Sequence, residues 1–191
     1  MNDNLIIRNA TADDAAALLG IYAPYVEHTA ITFEIEIPTL EDFTERIRTF
    51  SRDFPYLVAE LNGKAVGYSY AHKLRERAAY NHCVEMTVYI DRNMRQHGIG
   101  KALYNEMEQR LRNIGKRNLY ASVTWTDEEN EYLTHDSVSF HETMGYRKVG
   151  HFHECGFKFN QWFDMIWMEK IISASCFCIT VLSCLLQSTV L

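Results

Sequence analysis

CVEMTVYIDRNMRQHGIGKALY, residues 83–104, changes period in its middle. Val84, Met86, Val88 and Ile90 alternate with Glu85, Thr87 and Tyr89, which is the two-residue period of a half-buried strand. Ile99, Leu103, Met107 and Leu111 then recur every four residues, with Ile114 three further on, so an amphipathic helix is expected to follow. Between them lie Arg92, Arg95, Gln96, His97, Gly98 and Gly100. A helix N-terminus exposes unpaired N–H groups and the positive end of its dipole, and glycines let that backbone approach an anion. The loop is therefore expected to bind phosphate. It is not a nucleotide-binding loop of the Gly-Lys-Ser/Thr kind, because Gly98-Ile99-Gly100-Lys101 runs on into Ala102, and the third glycine of the dinucleotide fingerprint is absent.

Upstream, Leu5-Ile6-Ile7-Arg8 reads as a first strand, and Thr11 with Asp14 has the spacing of a capping box that opens a helix. That helix is expected to reach Ile21 or Tyr22, where Pro24 stops or bends it. Thr32-Phe33-Glu34 is a connection. A second start signal at Pro38 to Asp42 leads into a helix whose buried stripe is Leu40, Phe43, Ile47 and Phe50. Tyr56 to Leu61 and Ala65 to His72 read as strands joined by the hairpin dipeptide Asn62-Gly63.

Downstream of the central helix come a turn at Gly115, a strand from Asn118 to Trp125 and an acidic loop over 126–136. Ser137 to Met144 reads as a short helix closed by Gly145, and Tyr146 to Glu154 and Trp162 to Lys170 read as a final pair of strands.

The loop Arg95-Gln96-His97-Gly98-Ile99-Gly100 resembles the pyrophosphate loop, Arg/Gln-x-x-Gly-x-Gly/Ala, of the GNAT superfamily of N-acetyltransferases. The element order β-α-α-β-β-β-α-β-α-β-β is similar to that of the superfamily over roughly residues 5–170. The resemblance implies an α/β (α+β) fold, with a mixed, mostly antiparallel sheet of about seven strands flanked by about four helices. Acetyl-CoA is then the co-substrate, held at Arg95 to Lys101 and along the backbone of Val88, Tyr89 and Ile90. The run from Arg75 to Tyr89, RERAAYNHCVEMTVY, further resembles the phosphinothricin and methionine sulfoximine acetyltransferase group, departing at Cys83 where threonine is usual.

Acetyl transfer from a thioester to an amine requires a base for the ammonium, a donor for the carbonyl oxygen as it gains charge, and acceptance of the thiolate. Periodicity alone leaves Glu85 as a carboxylate on a solvated sheet face. The resemblance makes it the base, with a backbone N–H of Val88 to Ile90 as the oxyanion donor. It makes His141, in Phe140-His141-Glu142-Thr143-Met144-Gly145-Tyr146, a candidate general acid or substrate contact, against the reading of a structural histidine.

Arg75 and Arg77, otherwise ordinary surface arginines, are implied to clamp the acid end of an amino-acid-like substrate with Tyr80. Phe33, Lys158 and Trp162 are implied to complete the pocket, with Asn160 standing where glycine is usual, and a second subunit is expected because these enzymes are typically dimers. Asp136, beside Ser137, stands where relatives have an asparagine that helps hold the coenzyme, and its charge opposes phosphate.

Two other chemistries are set aside. Cys83 has no evident His-activated environment, so direct transfer without an acyl-enzyme is expected. His151 and His153 share a strand face but lack a third ligand in sequence, so no metal is expected. Two rivals stay open. One is an N-acetyltransferase for a polyamine, an aminoglycoside or a protein N-terminus, and the other a non-catalytic acyl-CoA-binding sensor.

The chain has 191 residues, 47% hydrophobic, with 9 glycines and 3 prolines, which suggests one domain without a linker. A net charge of −6 argues against nucleic-acid binding and favours a small-molecule partner. The five cysteines form no disulfide framework, and the acidic start MNDNLIIRNATADD is no secretory signal, so a cytoplasmic setting is expected. The catalytic domain is assigned to residues 1–172. Residues 173–191 form an uncharged tail interrupted by four serines, two threonines and one glutamine. That composition favours an added extension or a segment packing on a subunit over a membrane anchor.

Overall fold

The computed structural model describes residues 5–172, so the tail assigned to 173–191 lies outside the described residues. Seven strands form one sheet in the order β1-β2-β3-β4-β5-β7-β6. They are β1 (Leu5–Asn9), β2 (Tyr56–Leu61), β3 (Lys64–Lys73), β4 (Cys83–Ile90), β5 (Asn118–Trp125), β6 (Arg147–Lys158) and β7 (Gln161–Ile171). Every neighbouring pair is antiparallel except β4 and β5. Four α-helices complete the described residues: α1 (Ala15–His28), α2 (Leu40–Asp53), α3 (Ile99–Asn113) and α4 (Asp136–Thr143). The expected mixed, mostly antiparallel sheet and its helices are therefore present.

The sheet has an apolar layer on each face. On one face α3 buries Ile99, Leu103, Met107 and Leu111, the four-residue stripe of the sequence, against Val84, Met86, Ala121 and Val123. Each such aliphatic side chain contributes about 1.5–3 kcal/mol through removal from water. On the other face Leu18, Tyr22 and Val26 of α1 and Phe43 and Ile47 of α2 cover Tyr56, Val58 and Tyr68. β4 lies between these layers, and its alternation sends Val84 and Met86 to the α3 side and Tyr89 toward α1.

Local signals account for the hairpins. Asn62 and Gly63 take φ of 50° and 80°, the doubly left-handed turn whose twist matches the flanking strands. Phe159 and Asn160, at 49° and 58°, turn β6 into β7, and asparagine tolerates that conformation where glycine is usual.

Two boundaries and one buried position differ from the expectation. α1 continues past Pro24 to His28, because buried Ile21, Tyr22, Tyr25 and Val26 straddle the proline and outweigh a cost of about 3 kcal/mol. Leu40 is exposed at the first turn of α2, where the helix has not yet reached the sheet, and the buried positions are Phe43 and Ile47. β6 extends beyond Glu154 to Lys158, since register shifts between Lys148 and Gly150 and between Phe152 and Gly156 break the two-residue alternation.

Candidate active site

β4 and β5 pair over three residue pairs only, Cys83 with Asn118, Val84 with Leu119 and Glu85 with Tyr120. β4 then stays with β3 as far as Ile90, while β5 stays with β7 as far as Trp125. A wedge opens between the two parallel strands just past Glu85. Successive residues of a strand offer their backbone groups to alternate sides, so part of the Met86–Ile90 backbone faces this gap without a partner strand.

Glu85 sits at the root of the wedge, with its side chain 16% exposed. Ser122, two residues beyond its strand neighbour Tyr120, donates to Oε1 at 2.5 Å. His72 is its register partner on β3, with Nε2 3.9 Å from Oε2, beyond hydrogen-bond distance. The His72 ring stacks on Phe50 with centroids 5.5 Å apart. One oxygen of the carboxylate is thus anchored and the other is not. Sequence reasoning missed both His72 and Ser122, because they reach Glu85 only through the register of three strands.

The strand leads into the expected phosphate loop. A 3₁₀ turn at Arg92–Met94 is followed by Gln96 and Gly98 with φ of 65° and 77°, and Gly98 is the N-cap of α3 with no side chain capping the first turn. The left-handed cap aims the N–H groups of Ile99, Gly100 and Lys101 outward from the helix end. Gly100 has a second reason to be glycine: a Cβ there would lie 3.3 Å from the Phe140 ring of α4. His97 Nδ1 and the Arg95 carbonyl lie 2.8 Å apart, which ties the loop to itself. Arg95 and Asp136 are 3.6 Å apart, so the carboxylate at the start of α4 neutralises a loop cation instead of facing the loop unpaired. Ser137 follows it, half-buried, and its carbonyl is taken up by His141.

His141 is 5% exposed. Its Nδ1 lies 2.7 Å from the Ser137 carbonyl, which only accepts, so the proton sits on Nδ1. Nε2 then accepts from the Tyr104 hydroxyl at 2.9 Å. Burial pushes the imidazole pKa down to about 4, partly opposed by the Ser137 bond, and burial pushes the Tyr104 phenol up. A neutral ring with both nitrogens engaged has no proton ready for a departing thiolate. The expectation of a general acid therefore meets a histidine bonded into the core.

The expected substrate residues fall into two groups. Arg75, Arg77 and Tyr80 are exposed on the connection between β3 and β4, and among the described residues neither guanidinium has a carboxylate partner. Phe33 and Lys158 join the strap at residues 29–34 to β6. The Lys158 ammonium is buried and donates to the Thr32 carbonyl at 2.9 Å, and the Phe33 ring lies over Gly156 so closely that a Cβ would come within 2.3 Å of it. Burial lowers the Lys158 pKa, opposed by Glu34. Lys158 thus fastens the strap to β6 through one of its three N–H donors. Trp162 is exposed and packs on Phe157 at 4.9 Å, on the outer face of the hairpin. Cys83 is half-buried and free, as Cys155 is exposed and free. A hollow of about 530 Å³ bordered by Asn9, Arg52, Phe54, Arg110 and Ile114 lies at the far end of α3 and contains none of these residues.

A parallel strand pair that parts beside a carboxylate and leads into a glycine-capped helix is the arrangement that the resemblance to thioester-using transferases implies. Residues 7–167 match the acetyltransferase (GNAT) domain model, and the chain belongs to that family. It is 33% identical over 171 residues to a phosphinothricin N-acetyltransferase of Alcaligenes faecalis, covering 88% of this chain and 83% of that one. It is 26% identical to an L-methionine sulfoximine/L-methionine sulfone acetyltransferase of Salmonella typhimurium, covering 86% and 93%. A phosphinothricin acetyltransferase of Sinorhizobium meliloti, solved in complex with AcCoA, superposes with a TM-score of 0.79 at 30% identity, covering 90% of this chain and 89% of that one. The chain is therefore an acetyltransferase of the N-acetyltransferase kind. Among the described residues no helix is long and apolar enough to cross a membrane.

Proposed function

We propose that the protein transfers acetyl from acetyl-CoA directly to the α-amine of a small amino-acid-like acid, such as phosphinothricin, methionine sulfoximine or a related compound. The observation that carries this reading is the position of Glu85, half-anchored by Ser122 where β4 and β5 separate; the exposed β3–β4 connection adds two arginines that have no carboxylate partner among the described residues. The α3 N-terminus and Arg95 receive the diphosphate, and the β4 backbone from Val88 to Ile90, on the side that has parted from β5, supports the pantetheine and polarises the thioester carbonyl. Glu85 takes the ammonium proton through its unanchored oxygen, directly or through one water, and the free amine attacks the carbonyl carbon. The C–N bond forms, the C–S bond breaks, and the proton that the new amide nitrogen sheds ends on the departing sulfur, which is released as the coenzyme thiol. A thiol is acidic enough to leave as the anion with less help than an alcohol needs, so the engaged state of His141 does not obstruct the step.

Arg75 and Arg77, with Tyr80, are assigned to the acid end of the substrate. Their charge favours a carboxylate or phosphinate and opposes a polyamine or an aminoglycoside. Phe33 and Trp162 are assigned to the pocket wall of a second copy of the chain, the expected partner in solution, with the cytoplasm as the expected setting.

Thiol release from acetyl-CoA, followed with a panel of amino acids, glutamate analogues and polyamines, tests the proposal. Turnover is expected with the amino-acid-like acids and is expected to fall on charge reversal at Arg75 and Arg77. Turnover confined to polyamines, or coenzyme binding without any turnover, would overturn it.

A further inference from the structure

The outer hairpin carries a cluster of chemistry-bearing side chains that acetyl transfer leaves unused. β6 shifts register against β7 between Phe152 and Gly156, and Glu154 takes a φ of 45° at that irregularity. Residues 153–155 there stand against the single residue Asp164 of β7, and His151, paired with Ile166, is the diagonal neighbour of Asp164 on the same face. His151 Nε2 lies 2.6 Å and His153 Nδ1 lies 3.1 Å from the same oxygen, Asp164 Oδ2. The two rings overlap with centroids 4.0 Å apart, and one potential ligand atom from each residue lies within 4.8 Å of the other two. The remaining oxygen, Oδ1, accepts the Glu154 backbone N–H at 2.7 Å. That bond orients the carboxylate from behind, as outer hydrogen bonds do for metal-ligating groups.

We propose that His151, His153 and Asp164 bind one divalent transition-metal ion of the zinc type, with a further coordination position open to solvent. Two imidazole nitrogens and one carboxylate oxygen suit zinc, nickel or copper and do not suit calcium or magnesium, which prefer all-oxygen shells. Ligand bonds of about 2.0–2.2 Å in a tetrahedral arrangement set the donor atoms roughly 3.3–3.5 Å apart. The separations of 2.6 and 3.1 Å are shorter than that, so the side chains rotate apart to make room for an ion. The His153 side chain is 75% exposed, which leaves the solvent side of the cluster to a water or an incoming ligand.

Lys148 supplies a feature that a merely hydrogen-bonded cluster would not need to answer for. Its Nζ lies 3.0 Å from Nδ1 of His151, which accepts from the ammonium while Nε2 donates to Asp164. An ion on Nε2 transfers the ring proton to Nδ1, so two donors then face each other. Lys148 must swing away, and the Trp125 ring, 5.7 Å from the ammonium, is a cation–π partner within reach. Lys148 therefore opposes occupancy, and removing its charge strengthens binding.

The full chain, stripped with a chelator and titrated with Zn²⁺ by calorimetry and with Co²⁺ by visible absorption, tests this. One ion per chain is expected at this site, with the intense absorption of a low-coordinate cobalt centre. His153→Gln and Asp164→Asn are each expected to weaken binding at least ~10-fold, and Lys148→Met to tighten it several-fold. His153 is exposed, so its replacement leaves the fold intact, and unchanged circular dichroism and unchanged metal-free acetyl transfer verify that. Absence of binding by the wild-type chain, or equal binding by wild type and His153→Gln, overturns the proposal. Neither result bears on the acetyl-transfer reading.

Discussion

Glu85 and Met86 are neighbours on β4, yet they face environments of opposite character built from the same residue types. On the Met86 side the sulfur accepts from the Tyr146 hydroxyl at 3.2 Å, and behind it Tyr104 donates to His141, which in turn donates to Ser137. Each of these polar groups is satisfied inside the fold. On the Glu85 side a serine holds one carboxylate oxygen, a histidine stands 3.9 Å from the other, and the backbone beyond has lost a partner strand. A histidine and tyrosines occur on both faces, so residue type alone does not mark the reactive one. Unspent bonding capacity beside an opening does.

That contrast makes its largest prediction at Glu85. Glu85→Gln keeps the shape and the Ser122 contact but removes the base, so kcat/KM is expected to fall by about 10²–10⁴-fold. Acetyl-CoA affinity, measured by calorimetry, is expected to stay the same. Near-normal turnover in Glu85→Gln would erase the distinction between the two faces.

The opposite face predicts a pH dependence of stability. His141 has its pKa lowered to about 4 by burial, while an unfolded histidine titrates near 6.5. Between those values the unfolded chain binds the extra proton, so stability rises with pH across the window and is lost as pH falls from about 6.5 toward 4. The full effect is on the order of 3 kcal/mol. Asp14, held low by Arg8, and Glu169, held low by Arg147, lose their contributions only in the more acid carboxylate range. Urea unfolding of wild type and His141→Phe between pH 7 and pH 5 therefore isolates the histidine, and parallel curves would show that His141 is not the buried neutral group described here.

The legible parts of the fold were those with short-range periodicity. The alternation of Val84 to Ile90, the four-residue stripe of α3 and the Asn62-Gly63 turn each depend on neighbours a few residues apart, and all three are present. Contacts set by register were not legible. Ser122 meets Glu85 because two parallel strands pair for three residues and then part, and Asp164 meets His151 and His153 because the β6–β7 register sets it opposite His153 and diagonal to His151. Pro24 misled for a related reason: its local cost was visible, whereas the burial of Tyr22 and Tyr25 around it was not. The bond from Lys158 to the Thr32 carbonyl is of the same kind, since its two ends lie 126 residues apart in the chain.

Two smaller effects sharpen the comparison within the Glu85 face. Ser122→Ala removes a hydrogen bond to a carboxylate that stays partly solvated, so a loss of about 1–2 kcal/mol, roughly tenfold in kcat/KM, is expected with little change in melting temperature. The smallest effect lies where the face meets the coenzyme. Arg95 shares its charge with Asp136 at 3.6 Å, and both side chains are substantially exposed, so the pair is worth at most about 1 kcal/mol. Asp136→Asn returns that charge to the diphosphate and removes a repelling carboxylate. The KM for acetyl-CoA is expected to fall a few-fold in low salt, and the gain is expected to shrink at high ionic strength, where exposed charges are screened. A KM that rises instead would mean that Asp136 holds Arg95 in its binding pose, which would make the carboxylate part of the phosphate site and not its competitor.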